Sequence, residues 1–139
     1  MTLSGAETPF ASKLLSVIIL IASSSLASAE PPFEPGAICR TAIGSIAGRD
    51  PKSIQITRAA NNVLFLAYVR PIDNFVWTYR CRIEGDRIVW ASEPGRWRED
   101  PDDDKIFFEI IKAGAQLSIV ENHADGSSTK VLFDRDMIQ

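Results

Sequence analysis

The chain has 139 residues, with 15 Lys and Arg against 18 Asp and Glu and a net charge of −3 when its single His is neutral. Apolar residues make up 45% and charged residues 24%, proportions that fit one globular domain and exclude both a multidomain enzyme and a disordered chain. The mild acidity excludes a nucleic-acid binder that works by bulk attraction to phosphate.

The first element is an address. Lys13 precedes an apolar run from Leu14 to Ala22 broken only by Ser16, and a serine-rich stretch leads to Ala27-Ser28-Ala29. This is the layout of a secretory signal peptide over residues 1–29, cleaved between Ala29 and Glu30. A retained anchor is the alternative, and Glu7 offsets the positive charge of Lys13. A bilayer span needs about 20 apolar residues, however, and no Cys directly follows the run to carry a lipid. The expectation is a periplasmic or secreted protein with no membrane attachment after cleavage. Residues 30–35 form a proline-broken leader, and residues 36–139 form a single domain.

Cys39 and Cys81 are the only cysteines. Their separation excludes a CxxC redox pair, and two thiolates without clustered His or Cys make no zinc site. In an exported chain the even count implies one disulfide.

Pro35 can open a helix, because its missing N–H would have no partner in the first turn anyway. Ile38, Cys39, Ala42, Ile43 and Ile46 then fall at helical spacing on one face. Gly48 suits the C-terminal cap and Pro51 blocks continuation, so the helix should end near Ala47.

The remainder predicts strands. Ile54 and Ile56 alternate with polar residues before an Asn61-Asn62 turn, and residues 63–70 are apolar on both faces. After Pro71–Asn74, residues 75–83 alternate: Phe75, Trp77, Tyr79, Cys81 and Ile83 on one face, Val76, Thr78, Arg80 and Arg82 on the other. Gly85-Asp86 turns into residues 87–91, and a polar loop spans residues 92–104. Residues 105–111, 116–121 and 129–134 complete an antiparallel meander. Tight turns pair Ile83 with Ile88, Cys81 with Trp90 and Leu64, Trp77 with Tyr68, Phe108 with Ile119, and Ile110 with Leu117. Each pairing places bulky apolar residues on one common face, which a one-residue slip would destroy. Cys81 is then on the core face, as Cys39 is on the apolar face of the helix. The predicted fold is α+β: one short N-terminal helix stapled by a disulfide onto a meander sheet of five to seven strands, curled toward a partial barrel.

Two places suit ligand binding. On the second face Arg80 and Arg82 sit beside Phe65, Ala67, Val69 and Val76, a mixture that suits an anionic or amphipathic ligand. The alternative is a second core with arginines at its rim. In the loop, Arg96-Trp97-Arg98 follows Pro94-Gly95. Trp97 either stacks on a sugar or anchors a partner, or folds back over the core while the arginines pair with Glu93, Glu99 or the Asp run.

Asp100, Asp102 and Asp104 imitate the opening of an EF-hand loop, but Lys105 stands where Gly belongs and Ile111 where a bidentate Glu belongs. His123 has no nucleophile in a recognisable setting. The carboxylate pairs Glu84/Asp86 and Glu109/Glu121 are of a kind found in most domains of this size. No catalytic residue, metal site or cofactor is expected.

The segments Cys39-Arg40-Thr41-Ala42-Ile43, Gly48-Arg49-Asp50-Pro51, Trp77-Thr78-Tyr79-Arg80-Cys81 and Gly95-Arg96-Trp97-Arg98 together resemble a type of small exported bacterial protein. The resemblance implies one exported domain and brings no activity or site residues. The expected function is a non-enzymatic binding or interaction domain for a protein or a small anionic or saccharide ligand, and not for nucleic acid. An inhibitor of an extracellular enzyme, presenting residues 93–104 to a cleft, is one alternative. A small carboxylate-dependent hydrolase is the other.

Overall fold

A computed structural model describes residues 32–139, together with the isolated positions Gly5 and Ile19. The signal peptide and its cleavage point lie outside the described residues. Helix α1 spans Pro35–Ala47 and ends on Gly48, whose φ of 66° is the left-handed conformation that glycine adopts without strain. A second glycine, Gly44, lets the chain fold back under the helix: a Cβ there would stand 2.7 Å from the Arg49 carbonyl oxygen.

Seven strands follow: β1 (Ile54–Ala60), β2 (Val63–Val69), β3 (Val76–Glu84), β4 (Arg87–Ser92), β5 (Lys105–Ile111), β6 (Gln116–Asn122) and β7 (Ser128–Asp134). They form one antiparallel sheet in sequence order, open at β1 and β7. The turns explain the order. Asn61 and Asn62 both take positive φ, 52° and 62°, as a type I′ hairpin requires, and Gly85 takes φ 63° between β3 and β4. The registers are the expected ones: Cys81 faces Leu64 and Trp90, Tyr68 faces Trp77, Ile83 faces Ile88, Phe108 faces Ile119 and Ile110 faces Leu117. Edge strand β1 carries a bulge between Ile56 and Arg58, a device that blunts a sheet edge against pairing with another chain.

The core lies between α1 and one face of the sheet. Ile38, Cys39, Ala42 and Ile43 pack against Ile54, Leu66, Cys81, Ile88, Ile106, Leu117 and Ile119. Cys39 and Cys81 are disulfide-bonded with Cα atoms 6.0 Å apart, and both are fully buried. Two further core residues come from outside the helix and the strands. Phe33, from the leader, is buried under the Arg135 guanidinium, 4.0 Å from its ring centre. Ile138 is fully buried at the C-terminus, where its carbonyl accepts a hydrogen bond from Arg40. Among the described residues no helix is long and apolar enough to cross a membrane.

Candidate functional site

Three places carry the side chains that chemistry or recognition would use. The first is the sheet face away from α1. Arg80 and Arg82, two apart on β3, project there and meet the loop between β4 and β5. Trp97 lies under both guanidinium groups, 4.7 Å from Arg80 and 4.4 Å from Arg82 to the ring centre. Arg80 donates to the Gly95 carbonyl and pairs with Glu93 at 3.2 Å; Arg82 pairs with Glu84 at 2.7 Å and with Glu99. Val89 and Ala91, cross-strand neighbours of Arg82 and Arg80, are fully buried although they face away from the helix. The loop is their cover. Arg96 makes a bidentate contact to Asp103, at 2.6 and 2.8 Å, which holds that carboxyl down at a pKa of about 2. Arg98 lies over the Trp90 ring at 5.7 Å and donates its backbone N–H to the Trp90 carbonyl. Trp90 pairs with Cys81 on the core face, so Arg98 turns to the opposite side of the sheet from Arg80, Arg82 and Trp97, and the five candidate binding residues divide between the two faces, each with intramolecular partners.

The second place is the end of the β2–β3 hairpin, where sequence reasoning expected core. Trp77 faces Tyr68 as expected, yet Phe75 is 51% and Trp77 44% exposed, and Ile72 at the turn is 87% exposed. The Phe75 and Trp77 rings meet edge to face with centres 5.2 Å apart. Arg70 reaches over Phe75 and is fixed by Asp73, which accepts its Nε–H at 2.8 Å and caps the Phe75 N–H at 3.1 Å. On the neighbouring strand Tyr68 is buried, with Arg49 stacked on it at 4.7 Å.

The third place joins residues that sequence reasoning left apart. Asp104, Glu121 and His123 bring a donor atom each within 4.8 Å of one another. His123 Nδ1 is 3.0 Å from Asp104 and its Nε2 is 3.0 Å from the Thr129 hydroxyl. The hydrogen bond to Asp104 raises the His123 pKa and lowers that of Asp104, while burial pushes Glu121 up. The signal was present in the register. Phe108 pairs with Ile119 and Ile106 with Glu121, so one more same-face step brings Asp104 opposite His123. Asp100 and Asp102 take no part in the trio. Glu109 pairs with Ser118 and so faces the opposite side of the sheet from Glu121, which separates that carboxylate pair. Glu84 is held by Arg82.

Compared with protein-family models, curated proteins and solved structures, the chain finds no match.

Proposed function

We propose that this chain is a non-enzymatic binding domain of the periplasm or extracellular space, and that it engages a protein partner through the end of its β2–β3 hairpin. The observation that carries this reading is the half-exposed Phe75–Trp77 ring pair beside Ile72. Solvent-facing aromatic and aliphatic groups contribute little to the fold that displays them, whereas Trp and Arg are enriched among the residues that dominate protein interfaces. Arg70 and Asp73 fix the turn before any partner arrives, which lowers the ordering cost of binding. Arg49, stacked on Tyr68 opposite Trp77, adds positive charge to this end of the sheet, so the matching surface is an apolar pocket with an acidic rim. An extracellular enzyme held by an inhibitor is one such partner. A carboxylate-dependent hydrolase is less well supported, since Glu109 and Glu121 face opposite sides of the sheet.

The test places a photo-crosslinking amino acid at Ile72 in producing cells, with Leu132 on β7 as the exposed control position. A protein adduct specific to position 72 is then purified and its affinity measured. Trp77→Ala should weaken binding by about 30-fold, equivalent to roughly 2 kcal/mol, with the melting temperature unchanged. A large loss of stability in Trp77→Ala, or the same adduct from position 132, overturns the reading.

A further inference from the structure

We propose that Asp104, Glu121 and His123 bind one divalent cation of the zinc class, at a site separate from the hairpin surface. The three residues come from different segments: the end of the β4–β5 loop, the last part of β6 and the β6–β7 turn. The register brings them to one face. Zinc accepts imidazole nitrogen and carboxylate oxygen at about 2.0–2.2 Å, which puts neighbouring ligand atoms roughly 3.3–3.5 Å apart. The His123–Asp104 distance of 3.0 Å is close to that value, and one ligand atom from each of the three lies within 4.8 Å of the other two.

The imidazole is also set up as a ligand. Metal-bound histidines almost always direct the second ring nitrogen to an oxygen that fixes the tautomer. Here Nε2 is 3.0 Å from the Thr129 hydroxyl. With the proton on Nε2, the Nδ1 lone pair points at the Asp104 carboxylate, and a cation placed there replaces the proton that otherwise bridges the two. Glu121 brings a second carboxylate against Asp104, an arrangement of like charges that a proton or a cation must compensate. A cavity of about 230 Å³ opens beside the trio, lined by Asp102, Asp103, Asp104 and Glu121 with Trp90 and Arg98. One imidazole with two carboxylates matches zinc-class ions, whereas calcium takes six to eight oxygens.

The experiment uses tag-free protein stripped with a chelator and titrated calorimetrically with zinc chloride at pH 7.5. One zinc per chain is expected, with a change in the His123 ring-nitrogen chemical shifts on saturation. Glu121→Gln and His123→Gln should each weaken binding at least tenfold, while Asp102→Asn, in the same cavity but outside the trio, should stay within threefold. A melting curve for each variant checks that it folds, and Asp104→Asn replaces any that does not. No saturable one-to-one binding, unmoved His123 shifts, equal weakening by Asp102→Asn, or calcium binding as tightly as zinc would each overturn the proposal.

Discussion

Trp97 has two guanidinium groups on its ring, so its truncation removes two cation–π contacts at once and uncovers Val89 and Ala91. Each contact is worth about 0.5–1 kcal/mol at an accessible site, and the lost cover adds to that. Trp97→Ala should therefore destabilise the domain by about 2–3 kcal/mol in urea unfolding. Unchanged stability in Trp97→Ala would return this residue to a recognition role. The sequence left both orientations of Trp97 open for a physical reason. Strand parity puts Arg80 and Arg82 on one face, but the path of a loop of a dozen residues depends on the ion pairs made by Glu93, Glu99 and Asp103. No periodicity encodes those pairings.

At the scale of elements, α1 is short and isolated helices of its length are marginal in water. It is held by apolar packing and by the Cys39–Cys81 bond, which spans 42 residues of chain. Closing a loop of that size restricts the unfolded ensemble by about 4 kcal/mol in the chain-entropy model. Cys81→Ser should cost about 2–5 kcal/mol, and Cys39→Ser/Cys81→Ser no more than either single change, since all remove one bond. Alkylation of native protein should label neither cysteine; two reactive thiols would contradict the bridge. This staple was legible from sequence because Cys39 lies on the apolar stripe of a helix and Cys81 on the apolar parity of a strand. Both periods are local properties.

For the whole molecule, the pKa shifts fix how stability follows pH. His123 is raised above its ordinary 6.5 by the hydrogen bond to Asp104, so its contribution is complete below 6.5 and disappears as pH rises through the folded value. Asp103 is lowered from 3.8 to about 2, so its contribution is complete above 3.8 and disappears as pH falls toward 2. Glu121, raised above 4.5 mainly by burial, disfavours the fold increasingly as it ionises. Denaturant midpoints should be highest between about pH 4 and 6.5 and decline on both sides, with Asp104→Asn shrinking the alkaline decline. A maximum above pH 8 would contradict these assignments. The helix, the antiparallel meander, the registers of β2 with β3, β3 with β4 and β5 with β6, and the disulfide follow from the sequence alone, because each rests on a repeat of 3.6 or 2 residues and on turn chemistry at fixed positions. The tertiary structure alone decided which same-face residues are covered. A helix of 13 residues is about 20 Å long, whereas seven strands at about 4.8 Å spacing make a sheet about 29 Å wide. One short helix cannot roof such a sheet, so Tyr68 is buried while its partner Trp77 faces solvent, and Asp104, Glu121 and His123 meet at the margin of the core, where Glu121 stands opposite the buried Ile106.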